Sequence, residues 1–264
     1  MRRGERRVGG CCARGAKLLR GGGGAGAREP RARRYPAQIS LVTADLSQRN
    51  GRQLVLDAAR RFGGLNCLVN AAGINQFSLL ESQSEDAIAL LLELNVTAPL
   101  QLTPLLLPLL RQQPQALLVN LGSTFGSIGY PGFAAYCASK FALRGFSEAL
   151  RRELADSHVK VLYIAPRATR TAMNSADVVA MNDALKVERD DPQEVARQIV
   201  HAIATEREEL YLGWPEKLFV RLNGLLPRLV DQALRKQLPV IKRFAGADQP
   251  RPPSSHTTST GEHP

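Results

Sequence analysis

The sequence predicts an α/β protein of the doubly wound, Rossmann type, in which a parallel sheet is covered by helices on both faces. Three observations carry this prediction. Short apolar runs of strand length recur at residues 65–69, 117–120 and 159–164, continuous rather than alternating, as strands buried on both faces are. Stretches with helical periodicity separate them. One run, at 117–120, leads into Leu121-Gly122-Ser123 and so delivers a hydroxyl at its carboxyl end.

The elements follow in order. Residues 39–44 read as a strand running into Asp45-Leu46-Ser47, and Leu54, Val55, Ala58, Ala59 and Phe62 form a helical stripe over 48–62. The strand at 65–69 ends in Asn70-Ala71-Ala72-Gly73. Ser82-Gln83-Ser84-Glu85 has the spacing of a capping box that opens a long helix through Asn95. Residues 100–110 are the most apolar stretch, but Gln101, Thr103, Pro104 and Pro108 interrupt them, and they read as a buried helix. A helix is predicted over 136–155, with Phe141, Leu143, Phe146, Ala149, Leu150 and Leu154 available for packing. The strand at 159–164 follows, Asp191-Pro192 marks a helix start, and 209–212 read as a last strand. Between 214 and 244, Pro227 divides an amphipathic, partly basic stretch into two shorter helices. Residues 246–264 form a polar tail without a core-forming pattern.

Composition bounds the function. A chain of 264 residues can bury one full core and does not require a second domain. No run of eighteen apolar residues occurs, so a membrane-spanning segment is not expected. Cys11, Cys12, Cys67 and Cys137 have neither metal-ligand nor disulfide spacing, which points to a reducing, cytoplasmic setting. His158, His201, His256 and His263 are scattered, so a Ser-His-Asp site or a zinc site finds no support. The net charge of +11 is local: residues 1–34 hold eleven Arg or Lys against Glu5 and Glu29, a net of +9. The remainder carries only +2, so the domain itself has no nucleic-acid signature.

Tyr136-Cys137-Ala138-Ser139-Lys140 carries the chemistry. A tyrosine and a lysine four apart share a helix face, and the ammonium is expected to draw the phenol pKa down from roughly 10 towards working pH. Such a phenol can exchange a proton with a carbonyl or alcohol oxygen. Ser123 lies thirteen residues upstream and Asn95 twenty-eight before that. Ser127 is a rival hydroxyl, but nine residues from Tyr136 is the wrong spacing. Cys137 reads as a small helix residue rather than a nucleophile.

This ordered set, Asp45-Leu46, Asn-Ala-Ala-Gly at 70–73, Asn95, Ser123 and Tyr136-x-x-x-Lys140, resembles the short-chain dehydrogenase/reductase family over residues 37–213 and more loosely to 245. The resemblance implies a nicotinamide-dependent oxidoreductase acting on an alcohol or carbonyl. Tyr136 would be general acid or base, with Lys140 lowering its pKa and binding the nicotinamide ribose. Ser123 would hold the substrate oxygen, and Asn95 would support a water in a proton relay. Cofactor contacts carried over in this way are Asp45, Leu46, Asn70, Ala71, Ala72, Gly73, Tyr136 and Lys140. The turn from Pro166 to Thr171, including Thr169, adds the carboxamide side, with Arg167 where the family usually has glycine. The cofactor is NAD or NADP, and Arg20 and its basic neighbours lean towards NADP. Residues 172–190 would cover an apolar substrate through Met173, Val178, Val179, Met181 and Leu185. Family members commonly pair through the helices that here contain Asn95 and Tyr136, which implies a homodimer or homotetramer.

The departure from the family lies at the start. A strand, a T-G-x-x-x-G-x-G loop and a helix are expected there, and no G-x-x-x-G-x-G register exists in the first 64 residues. Gly21, Gly23 and Gly26 satisfy G-x-G-x-x-G but follow no strand and open no helix. Residues 13–19 look like the family's passage from first helix to second strand, which leaves twelve residues for a unit of roughly thirty. The reading is a truncated or frame-shifted terminus joined to an intact core: an atypical Arg/Gly-rich segment at 1–34, a dehydrogenase domain at 35–245 and a tail at 246–264. The alternative function is a catalytically defective relative, unable to hold cofactor, that acts only as an interaction protein or is a non-functional product.

Overall fold

The computed structural model describes residues 41–246. The expectations for residues 1–40 and 247–264, including the decoy glycines and Arg20, lie outside the described residues.

Among the described residues, four parallel strands form one sheet in the order β1 (Cys67–Asn70), β2 (Ala116–Leu121), β3 (Val159–Ala165) and β4 (Glu209–Tyr211). The register sets Val69 opposite Val119 and Val119 opposite Leu162. Because side chains alternate along a strand, Leu68, Leu118 and Val161 point to one face. Cys67, Leu117, Leu162 and Ile164 point to the other. Both faces are apolar, and this is why the strands read as continuous hydrophobic runs.

Helices cover both faces. On the first, α1 (Arg49–Arg61) contributes Val55 and Leu56 to the core. α2 (Glu85–Leu92) continues through a π-turn at Glu93–Thr97 into α3 (Ala98–Arg111), whose Ala98, Leu102, Leu106 and Leu110 are buried there too. α4 (Ala134–Glu153) adds Leu150 to the same core. The opposite face is closed by α6 (Pro192–Ala204) through Val195, Ala202 and Ile203. Between them in sequence lies α5 (Ala176–Ala184), and the described chain ends with α7 (Glu216–Leu225) and α8 (Pro227–Phe244). By length and composition the stretch Glu85–Arg111 could cross a membrane. In this fold Ala98, Leu102, Leu106 and Leu110 are buried against the sheet, and residues 100–110 form the expected buried helix.

Most predicted boundaries hold within a residue or two. Asp191 caps α6, with its carboxylate accepting from the Gln193 and Glu194 amides at 2.9 and 3.4 Å, and Pro192 takes the first helical position. Pro227 opens α8 and divides it from α7. Two expectations are corrected. Ser84, not Ser82, caps α2, accepting from the Ala87 amide at 3.3 Å, while Ser82 closes a short 3-10 turn. Two serines in one tetrapeptide offer two registers, and only Ser84 directly precedes the helix. Residues 41–44 are not a strand, because a strand needs a neighbour's ladder and the described sheet ends at β1.

Gly51 is the tightest approach of helix to loop. A Cβ there would lie 1.8 Å from the Asp45 carbonyl oxygen. Gly51→Ala is therefore expected to destabilise the fold by about 1–3 kcal/mol, the usual range for overpacking. A thermal melt should show the midpoint falling by about 2–4 °C per kcal/mol.

Candidate active site

The site forms where β2 and β3 end. After Leu121 the chain turns through Gly122 into Ser123, whose hydroxyl accepts from the Phe125 amide at 3.1 Å and starts a short turn over Thr124–Gly126. Tyr163, fully buried on β3, lies beneath this turn, and its hydroxyl donates to the Ser123 carbonyl at 3.4 Å. A Cβ at Gly122 or Gly126 would come within 2.2 or 2.5 Å of that hydroxyl. The two glycines are thus required by the phenol below them. Lys140 on α4 fixes the turn from the other side, donating to the Leu121 carbonyl at 3.1 Å.

Tyr136 stands one turn before Lys140 on the same helix face, with the lysine Nζ 5.7 Å from its ring centroid. Phe125 and Phe133 meet its ring edge-on at 6.4 and 6.2 Å. Burial decides the electrostatics. Burial pushes the Tyr136 phenol up to about 12, and hydrogen bonding to the Ser123 side chain offsets only part of that. Burial also brings Lys140 down to about 8 from an ordinary 10.5. The expected fall in the Tyr136 pKa is therefore absent from this site. Desolvation penalises both charged forms, and the ammonium is directed at a backbone carbonyl rather than at the phenol oxygen.

Asn95 sits in the π-turn and is 1% exposed. Its Oδ1 accepts from the Ile74 amide and its Nδ2 donates to the Ile74 carbonyl, both at 2.8 Å. Nδ2 also donates to the Ser139 hydroxyl at 3.0 Å, and that hydroxyl donates to the Tyr136 carbonyl at 2.7 Å. Asn95 thereby ties the loop after β1 to the helix that carries Tyr136. π-turns inside helices are frequent at functional sites.

A cavity of about 580 Å³ opens beside these residues and is lined by Ala71, Gly73, Ser123, Tyr136, Lys140, Pro166, Thr169 and Thr171. The rest of its lining is largely apolar, with Met173, Val178, Met181, Phe219, Val230 and Leu234 among the lining residues. Val179 and Leu185 do not line it, and Leu185 packs against the aromatic cluster around Phe133. Ser127 does not line it either. Its hydroxyl is bonded to the Tyr211 hydroxyl at 2.9 Å and accepts from Arg144 at 3.0 Å. Cys137 is buried, accepts from the Tyr130 amide at 3.3 Å and has its thiol pKa pushed up by burial. It is no poised thiolate.

The other sequence-identified positions divide. Asn70 donates to Asn120 at 2.8 Å, and Asn120 donates to Ser147 on α4 at 2.8 Å, a brace from sheet to helix. Ala72 packs against the core instead of lining the cavity. Asp45 accepts from the Ser47 amide and hydroxyl at 3.0 and 2.6 Å, while the Leu46 side chain is buried in the core. Both lie away from the cavity lining. Arg167 is engaged by carboxylates: it donates to Asp190 at 2.8 and 3.0 Å and to Glu216 at 3.1 Å. It cannot supply a glycine's close backbone approach, and it fastens the Pro166 turn to the start of α7.

The nicotinamide side of a dinucleotide fits this geometry. The cavity adjoins the hydroxyls of Ser123 and Tyr136 and the buried Lys140 amine. At Gly73 a Cβ would meet Asn95 Oδ1 at 2.8 Å, so the backbone there forms part of the cavity wall without a side chain.

Tyr163, Ser139, Ser147 and the Phe125–Phe133 collar were missed from sequence. Gly122 and Gly126, four apart around a strand end, were the available signal for Tyr163.

Residues 15–181 match the profile of the family described as short chain dehydrogenase. The oxidoreductase claN of Passalora fulva is 37% identical over 155 residues, 54% of this chain and 71% of that protein. The structure of a short-chain dehydrogenase from Streptomyces avermitilis superposes with a TM-score of 0.66 at 28% identity, covering 84% of this chain and 86% of that one. Two chains of the same fold, each 22% identical, were crystallised with nicotinamide cofactors. The one from Burkholderia phymatum carries NAD (TM-score 0.66, 77% of this chain and 81% of that one). The one from Burkholderia cenocepacia carries NADP (TM-score 0.64, 75% and 78%). The chain belongs to the short-chain dehydrogenase/reductase family, whose members are NAD(P)-dependent oxidoreductases.

Proposed function

We propose that this chain transfers hydride between a nicotinamide cofactor and an apolar alcohol or ketone, with Tyr136 as the proton-transfer group. The observation that carries the reading is one cavity lined both by Ser123, Tyr136 and Lys140 and by aliphatic and aromatic side chains. The cofactor, when bound, supplies or accepts the hydride. Lys140, with Gly73 and the Pro166 turn through Thr169 and Thr171, would hold its nicotinamide half. Asp45, Leu46, Asn70, Ala71 and Ala72 belong to the same reading as the adenine side and the frame behind it.

The residues divide the work. Ser123 donates to the substrate oxygen and orients it. Tyr136 keeps its proton throughout the physiological range, since burial holds its pKa near 12. It is therefore set to donate that proton as a carbonyl is reduced. In the oxidation direction the phenol must lose its proton, so that rate should climb as pH rises. Asn95 positions the Ile74 loop and, through Ser139, the Tyr136 backbone. The apolar wall excludes water and fixes the substrate. Leu92, Leu100 and Phe141 on α2, α3 and α4 are exposed, which supports a homodimer or homotetramer formed through these helices. The reducing setting read from the cysteines supports a cytoplasmic location.

The test is a comparison of two serines. Ser123→Ala should lower kcat/KM for reduction of a hydrophobic ketone by about a hundredfold or more, the usual effect of removing one positioned donor. Ser127→Ala, whose hydroxyl is committed to Tyr211 and Arg144, should stay within about threefold of the parent. Equal losses from both would refute the assignment. The defective, interaction-only alternative would give no turnover in any variant.

A further inference from the structure

The helical hairpin that walls the cavity also turns a large apolar surface outwards. Trp214 is 69% exposed just before α7, and Leu225 and Leu226 at the hairpin tip are 80% and 52% exposed. Leu218 and Leu225 lie on one face of α7 by spacing, and Leu229, 50% exposed, extends the surface into the first turn of α8. Single exposed leucines need no explanation, but these five large apolar side chains exposed within sixteen residues of one hairpin point to a docking surface. Basic side chains border this one. Lys217 and Arg221, four apart on α7, and Arg228 are exposed and form no ion pair among the described residues. Glu216, the only acid between 214 and 229, is held by Arg167.

We propose that the α7–α8 hairpin docks on an anionic lipid surface, with Leu225, Leu226 and Leu229 entering the acyl boundary and Lys217, Arg221 and Arg228 meeting phosphate headgroups. An apolar face edged by basic residues, with an aromatic ring beside it, is the pattern of a helix that lies in the membrane interface. A second copy fits less well. A two-fold contact sets a patch against itself and would bring three cations against three cations. Continuity with the cavity adds a reason. Phe219 on α7, and Val230 and Leu234 on α8, line the cavity from the inner side of the same hairpin. An apolar substrate dissolved in a bilayer would then enter beside the docked helices. That last step rests on the oxidoreductase reading, whereas the docking does not.

The sole tryptophan of the chain, Trp214, makes the test site-specific. The full chain is mixed with vesicles of phosphatidylglycerol and dibrominated phosphatidylcholine, and with vesicles of phosphatidylcholine alone. Docking predicts a blue shift and at least twofold bromine quenching of Trp214, with at least tenfold stronger partitioning onto the anionic vesicles. The variant L225E/L229E, altered at exposed positions outside the cavity, should lose the quenching and at least tenfold of the partitioning while melting like the parent. Sedimentation with vesicles that leaves Trp214 unquenched would place binding in the basic first 34 residues and overturn the proposal. So would a lipid-independent dimer abolished by L225E/L229E, which would show a second copy covering the patch, and so would no binding. None of these readouts requires turnover, so a failure here is separable from a failure of the oxidoreductase reading.

Discussion

Tyr136→Phe is expected to lower kcat by about a hundred- to ten-thousandfold, the span over which a positioned proton donor contributes. The change removes one hydroxyl and leaves the ring among Phe125 and Phe133, so the packing that positions Lys140 and Ser123 survives. Cofactor affinity should change by less than about threefold, because on the proposed reading the hydroxyl serves chiefly the substrate oxygen and the ring that remains still borders the cofactor. Thermal stability should hold or rise slightly, since a buried phenol with one partial partner is replaced by a ring without polar demand. Steady-state kinetics, a cofactor titration and a melt on the same preparation check all three. A variant that keeps a tenth of parental kcat would remove Tyr136 from the mechanism.

Lys140→Met should uncouple stability from activity in opposite directions. The folded Lys140 has a pKa of about 8 against an ordinary 10.5, because burial disfavours its charge. Between those values the unfolded chain binds the extra proton, so stability rises as pH climbs from 8 to 10.5. Below pH 8 the buried charge costs up to about 3 kcal/mol, at 1.36 kcal/mol per pKa unit. Methionine removes that cost and forfeits the bond to the Leu121 carbonyl, worth about 1.5–3 kcal/mol for a charged donor. The net expectation at pH 7 is a fold unchanged or more stable by about 1 kcal/mol, without the rise between pH 8 and 10.5. Activity should nevertheless fall by at least about a hundredfold, as the proposed hold of Lys140 on the nicotinamide half is lost. Denaturant melts from pH 7 to 10.5 measure the first part. Persistence of the parental pH slope in the variant would assign it to another group.

The sheet was legible because its chemistry is local and redundant. Continuous apolar runs can only be buried on two faces, and Leu68, Leu118 and Val161 against Cys67, Leu117 and Leu162 show both faces used. The Asp191-Pro192 helix start and the Pro227 break were readable because proline and a capping carboxylate each act within a turn. The candidate site was legible as residue types at fixed spacing, and Ser123, Tyr136 and Lys140 do line one cavity. What spacing could not convey was environment. Through Lys140 the sequence implied a lowered Tyr136 pKa, but burial of the phenol in the folded site raises it instead. Nor could it tell that Asn95 would spend its amide on Ile74, or that Tyr163, from a different strand, would hold the Ser123 carbonyl. Residues 41–44 failed as a strand for a related reason: an apolar run becomes a strand only where a neighbouring ladder receives it.

On the proposed reading this chain binds a nicotinamide cofactor against Tyr136 and Lys140 and uses it. The direct measurement is a fluorescence titration of the folded, full-length chain with NADH and with NADPH, repeated on Lys140→Met. Saturable binding that weakens at least tenfold in Lys140→Met is the predicted result, and the tighter of the two reduced cofactors identifies the native one. A parent that melts cooperatively and binds neither would contradict the account, leaving Ser123, Tyr136 and Lys140 arranged around a cavity that takes no cofactor.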